Sequence, residues 1–320
     1  MADAKLGRRG FAAALLAAGL VAPRAVRAAG LDLVHSMTRV PLPDHSYTPP
    51  GDLKTIADIY KRMTATVHVN GAGPFQFVVD TGANQSVISA EVAYLLGLPA
   101  GDAQALNGVA GVQMTPTARA SVRIGDRPPA DVMLSVLPAA AIGGAGMLGL
   151  DQLDGGRLTL DFRLQTLSID TGGATLPGFG DEFALKAHRR DGQLTLVDAD
   201  LAGIHITAFL DSGAQDTIGN MALRDLAVTR YPKTIWSQAP ILSVTGQTMN
   251  AEMADLPSLR IGTLHLPNWP MAFADLHTFR MWNLIDRPAI LIGVDILSRF
   301  ETVCLDFVHD EVRLRLPVRS

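Results

Sequence analysis

An acidic turn that occurs twice in matched surroundings constrains this chain more than any other feature. Phe77-Val78-Val79-Asp80-Thr81-Gly82-Ala83 recurs in type and order as Ala208-Phe209-Leu210-Asp211-Ser212-Gly213-Ala214. Each copy follows an expected β-hairpin: Thr64 to Val69, a turn at Asn70-Gly71 and Phe75 to Val79; then Leu194 to Leu201, a turn at Ala202-Gly203 and Ile204 to Leu210. Each copy also precedes a short helical pattern, Ala90 to Leu96 and Met221 to Ala227, with Ser89 and Asn220 placed to cap it. Self-similarity on this scale predicts two related units rather than one large domain.

The later landmarks keep the same order. Val109-Ala110-Gly111 leads to Arg123-Ile124-Gly125, and Val244-Thr245-Gly246 to Arg260-Ile261-Gly262; the turns at Gly111 and Gly246 are candidate flaps. Met147-Leu148-Gly149 and Leu291-Ile292-Gly293 close the halves, with Gly149 and Gly293 expected to let a neighbouring strand pack against each acidic turn. Asp80 lies 69 residues before Gly149 and Asp211 82 before Gly293; the surplus is expected between His265 and Pro288. The division expected is an export signal at 1–28, an irregular extension at 29–57, a first lobe at 58–172, a linker at 173–190 and a second lobe at 191–320. Gly and Pro mark the linker, and Pro49-Pro50 the extension.

Two carboxylates held face to face cannot both ionise cheaply, so they share a proton, one serving as base and the other as acid. A water between them can then attack a carbonyl with no covalent enzyme intermediate, metal or cofactor. Thr81 and Ser212 carry short hydroxyls able to bond backbone across an interface, and Gly82 and Gly213 permit a tight turn whose N–H groups approach the carboxylates. Apolar neighbours bury the turn.

These residues resemble the aspartic peptidases, in which each lobe carries Asp-Thr/Ser-Gly and a later apolar-apolar-Gly. Ala83 and Ala214 after the triplets look retropepsin-like, while two unequal copies in one chain look pepsin-like in arrangement. The resemblance covers roughly residues 58 to 320. It implies a mainly β fold of two acid-protease lobes with a cleft between them, and an endopeptidase in which Asp80 and Asp211 activate water against an extended polypeptide. The alternative is an exported peptide-binding protein whose carboxylates do not meet; a third arrangement pairs the turns between two chains, though a monomer is expected. Leu150-Asp151 and Val294-Asp295 stand where retroviral members place an Arg after the late glycine, and no tyrosine lies near Gly111 or Gly246. Without a hydroxyl at Ala83 and Ala214 to acidify the pair, an optimum of about pH 4.5 to 6.5 is expected.

Competing motifs fall away. Asp170-Thr171-Gly172 has no apolar strand or matched glycine after it and reads as a closing turn. Gly144-Ala145-Gly146-Met147-Leu148-Gly149 spells a dinucleotide fingerprint, but the second half lacks the early glycines. Asp151 and Asp295 sit where an acid favours a helix start. The histidines are scattered, Cys304 stands alone in an apolar run, and no metal site is supported. Trp236, Trp269 and Trp282 are expected in the core or lining the cleft.

Arg8-Arg9-Gly10-Phe11 and the Ala/Leu-rich stretch after it resemble a twin-arginine export signal, which implies a periplasmic or secreted protein; a short N-terminal membrane anchor is the alternative. Residues 1–28 hold five basic residues against one acidic, so their removal takes the formal charge from −4 to −8. Such an acidic chain does not suit nucleic acid. The mean hydropathy of +0.21 comes without an apolar run of the roughly 18 to 20 residues that span a bilayer.

Overall fold

The computed structural model describes residues 18–20, 52–57, 62–153, 156–170, 182–190, 193–243 and 248–317. The rest of the export signal, most of the extension and Gly246 therefore lie outside the described residues.

Each lobe starts from a hairpin. In the first, Met63–Val69 pairs antiparallel with Ala72–Val79 through Asn70-Gly71, both at positive φ (50° and 79°). In the second, Gln193–Leu201 pairs with Ile204–Leu210 through Ala202-Gly203, again both positive (53° and 82°). Two left-handed residues match the twist of the flanking strands, which is why Asn-Gly suits the first turn so well. Both hairpins carry a register irregularity, between Val67 and Val69 and between Leu196 and Ala199.

After each acidic turn the chain makes a short strand and a capped helix. Val87–Ser89 leads into Ala90–Leu95, where Ser89 Oγ accepts from Val92 N (3.1 Å). Ile218–Gly219 leads into Met221–Arg230, where Asn220 Oδ1 accepts from Leu223 N (2.9 Å). Each cap satisfies a backbone donor that the first helical turn leaves unpaired, worth about 1 kcal/mol.

The flap hairpins follow, Ala100–Gly108 with Gly111–Ile124 and Ser237–Ser243 with Thr248–Leu256. Return strands Ala130–Leu137 and Trp269–Phe273 pack beside them. Gly146–Leu148 then runs parallel to Ala72–Val79, and Ala289–Ile292 parallel to Ile204–Leu210, so the late glycine of each half arrives beside its acidic turn. The strand Leu259–Ile261 is the counterpart of Val122–Ile124, so about half of the second half's surplus lies earlier than expected, where Met221–Arg230 is longer than Ala90–Leu95, and the rest lies at the helix His277–Met281 and its following turns.

A sheet shared by both lobes holds them together. Arg157–Asp161 of the first lobe pairs with Thr302–Asp306 of the second, flanked by Thr166–Asp170 on one side and Glu311–Arg315 on the other. Buried Arg157 joins buried Asp306 across this seam (3.1 Å). Burial alone would raise the Asp306 carboxyl, but hydrogen bonds from His309 and Arg157 outweigh it and hold the group below its ordinary value. The edges use chain expected to be irregular. Asp52–Ala57 pairs with both Thr166–Ser168 and Met63–Ala65, and Glu182–Lys186, within the expected linker, pairs with Glu311–Arg315. The linker strand is legible in retrospect: Leu185 and Ala187 are buried and alternate with exposed Ala184, Lys186 and His188. Ala18–Leu20 pairs with Ile241–Ser243.

Both lobes have apolar cores, in which fully buried Phe77 and Phe209 occupy equivalent strands. Each contributes roughly 1.5–3 kcal/mol by leaving water. Cys304 sits in the shared sheet, buried, and burial pushes its thiol up to about 11, which makes it an inert core residue rather than a nucleophile.

Candidate active site

The two acidic turns meet at the floor of the cleft, tied by a reciprocal set of hydrogen bonds. Thr81 N–H donates to Ser212 Oγ (3.1 Å), and Ser212 N–H donates to Thr81 Oγ1 (3.0 Å). Each hydroxyl then donates onward to the opposite lobe, Thr81 to Leu210 O (2.9 Å) and Ser212 to Val79 O (2.8 Å). Both hydroxyls are buried and use donor and acceptor capacity together, so neither is left costly and unpaired.

This tie sets the spacing of the carboxyls. Asp80 Oδ1 accepts from Gly82 N (2.8 Å) and Ala83 N (3.0 Å); Asp211 Oδ1 accepts from Gly213 N (2.9 Å) and Ala214 N (2.9 Å). With one oxygen of each pinned, the two carboxyls are within hydrogen-bonding reach of one another. The glycines are required by the opposite lobe. A Cβ on Gly82 would stand 2.5 Å from Asp211 Cγ, and one on Gly213 2.3 Å from Asp80 Cγ.

The carboxyls, only 2% and 4% exposed, are not equivalent. Burial raises both. For Asp211 the rise takes it well above the ordinary carboxylate range, and the adjacent Asp80 charge adds to it. For Asp80 the rise is opposed by the Gly82 N–H, the bond with Asp211 and the positive charge of Arg62. Burial of both and the repulsion between them favour one proton held by the pair.

Arg62 was not among the sequence candidates. The register Thr64↔Val78 carried two residues back sets it opposite Asp80, where it is fully buried and donates to Ile142 O (3.2 Å). The register Thr195↔Phe209 carried the same way sets an uncharged residue, Gln193, opposite Asp211.

Behind each turn lies a second matched tie. Ser86 Oγ accepts from Gly149 N (2.9 Å) and donates to Asp151 Oδ1 (2.7 Å); Thr217 Oγ1 accepts from Gly293 N (3.0 Å) and donates to Asp295 Oδ1 (2.7 Å). Asp151 and Asp295 thus anchor the strand leaving each turn, and Asp295 also accepts from Ile296 N (2.8 Å) at its helix start. Gly149 and Gly293 pack where expected: a Cβ there would meet the Gln85 carbonyl carbon at 2.7 Å and that of Asp216 at 2.6 Å.

A cavity of about 210 Å³ opens beside the pair. Its wall comprises the first acidic turn from Gly82 to Gln85, the flap from Ala105 to Val109, and Thr278, Met281 and Trp282 from the second lobe's surplus segment. Trp282 stacks on Phe209, two residues before Asp211, with ring centroids 3.8 Å apart. Trp236 and Trp269 lie outside this wall, the first against Phe273 and the second beneath Arg299. Gly111, the expected flap centre, starts the returning strand opposite Gly108, and Val109 is the residue that reaches over the cleft. Among the described residues no group of three or more His, Cys, Asp or Glu is arranged to hold a metal ion, and no helix is long and apolar enough to cross a membrane.

Residues 65–154, most of the first lobe, match the family described as gag-polyprotein putative aspartyl protease, a retropepsin-like group. No curated protein matches the chain.

Proposed function

We propose that this protein is an aspartic peptidase in which Asp80 is the base and Asp211 the acid. The observation that carries the reading is the reciprocal Thr81–Ser212 tie, which brings two buried carboxyls together so that they hold one proton. Asp80 takes a proton from a water held between the pair as the water oxygen bonds to the substrate carbonyl carbon. Asp211 gives its proton to the carbonyl oxygen. The tetrahedral intermediate breaks at the C–N bond as the departing nitrogen takes the proton now on Asp80, and the proton on the former carbonyl oxygen returns to Asp211. The buried turn N–H groups fix both carboxyls beforehand, so little reorganisation is needed as charge moves.

One chain supplies both turns, which favours a monomer as the active form, and carboxyls in mutual reach do not favour a peptide-binding protein without chemistry. Export rests on Arg8-Arg9 and the stretch after it; cell fractionation of a tagged chain beside an Arg8→Lys, Arg9→Lys variant tests it. Catalysis is tested by cleavage of an unfolded protein substrate between pH 3 and 8. Asp80→Asn and Asp211→Asn each should lower kcat by about 10³-fold or more, and a statine-type peptide should inhibit. Activity surviving both substitutions ends the proposal.

A further inference from the structure

The two halves of the cleft differ in how far the residues after each acidic Asp are exposed. On the first-lobe side the turn is open: Gly82 and Ala83 are half-buried and Asn84 and Gln85 exposed, and the cavity lies against them. On the second-lobe side Gly213 and Ala214 are buried, Ala214 with no exposure at all, and Gln215 and Asp216 are half-buried; this lobe meets the cavity through Asp211, Leu291 and the Thr278–Trp282 segment instead of through the residues after its acidic Asp. Ala214 there belongs to one apolar core with Ile218, Ile241 and Phe279, and the first lobe's flap tip, Val109, belongs to the same core at 7% exposure. A hydrogen bond fixes the tip in place: His277 N–H, at the start of the surplus helix, donates to Val109 O (2.7 Å). The flap is thereby latched onto the second lobe.

We infer that the groove is one-sided: a peptide lies extended along the first-lobe half, while the latch limits it to about one residue past the scissile bond on the second-lobe half. This rests on the proposed peptidase reading and narrows the expected endopeptidase to one that cuts near a chain end. Lengthening a ligand on the closed side then adds no contacts unless Val109 leaves its place.

His277→Pro tests the latch with little cost to the helix. Residue 277 is the first helical position, where proline fits, and Leu276 before it is already extended (φ −70°, ψ 139°), as a residue preceding proline must be. The substitution removes the N–H that holds Val109, whereas His277→Ala keeps it. Affinity of the full chain is measured for three statine-centred peptides, extended by three residues on the amino side, the carboxyl side or both, with cleavage sites mapped by mass spectrometry on a peptide library.

The expected result is that the doubly extended ligand binds wild type and His277→Ala within about threefold of the better singly extended one. In His277→Pro it should gain about tenfold, since a backbone hydrogen bond no longer holds the flap down. Library cuts should cluster at one end of the peptides. A doubly extended ligand already tenfold tighter on wild type, or cuts spread along peptide interiors, overturns the one-sided groove while leaving the peptidase reading intact. Ligands that bind one-sidedly with no peptide cut sink the peptidase reading and leave the groove; absence of all binding removes both.

Discussion

The two lobes share a plan down to single hydrogen bonds, yet their acidic turns live in different surroundings. Both turns pin their carboxylate with two N–H groups, both donate a hydroxyl across the interface, and both rest on a Ser or Thr tied to an Asp. The first turn faces an open cavity and has buried Arg62 in cross-strand register with its Asp. The second has Gly213 and Ala214 buried, Ala214 in the core that also holds the other lobe's flap tip, and the uncharged Gln193 stands in the matching register. The matched parts set carboxyl geometry, which proton sharing needs to be symmetric. In the proposed mechanism the unmatched parts bias the shared proton and the entry of a chain, and both benefit from asymmetry.

The largest effect expected beyond the carboxyls themselves comes from the glycines, because they test the symmetric part. Gly82→Ala and Gly213→Ala should each lower kcat by about 10²-fold or more, as the new methyl displaces the opposite carboxyl by about an ångström. Steady-state kinetics beside circular dichroism checks this. If one substitution is harmless, the equivalence of the two turns fails.

A smaller effect separates the carboxyls by stability. Asp211 has its folded pKa raised, so the stability its proton contributes is complete below the unfolded value of about 3.9 and is lost as pH rises through the folded value. Asp211→Asn cannot ionise and escapes that loss. Its melting temperature should match wild type near pH 4 and exceed it at pH 7 to 8, on the order of a few degrees. Thermal scans across this range should show the gap widening with pH; a gap that narrows contradicts the assignment of the proton to Asp211.

Much of this architecture was legible because its signals are local. The turn at Asn70-Gly71, the caps Ser89 and Asn220 and the repeated acidic turns all sit within a few residues of what they organise. Arg62 was not legible, for a specific reason. Counting pairs back from Ala72↔Val69 at the turn sets Lys61 opposite Asp80, but the irregularity between Val67 and Val69 shifts the register by one and brings Arg62 there. Ser86 and Thr217 could have been found from their matched position four residues before the end of each turn-to-helix segment, though their Asp partners, 65 and 78 residues away, needed the fold. The latch between Val109 and His277 joins a turn of one lobe to a helix start of the other, with no sequence pattern to announce it.

Proton sharing is measured most directly by carbon-detected NMR titration of the full chain labelled at aspartate Cγ, with Asp80→Asn and Asp211→Asn to assign the pair. One carboxyl, Asp211, should keep its proton far above the ordinary aspartate range while Asp80 ionises first, and Arg62→Met should move that first ionisation to higher pH. Two carboxyls titrating independently near their ordinary value of about 3.9 would contradict the shared proton and the peptidase reading with it.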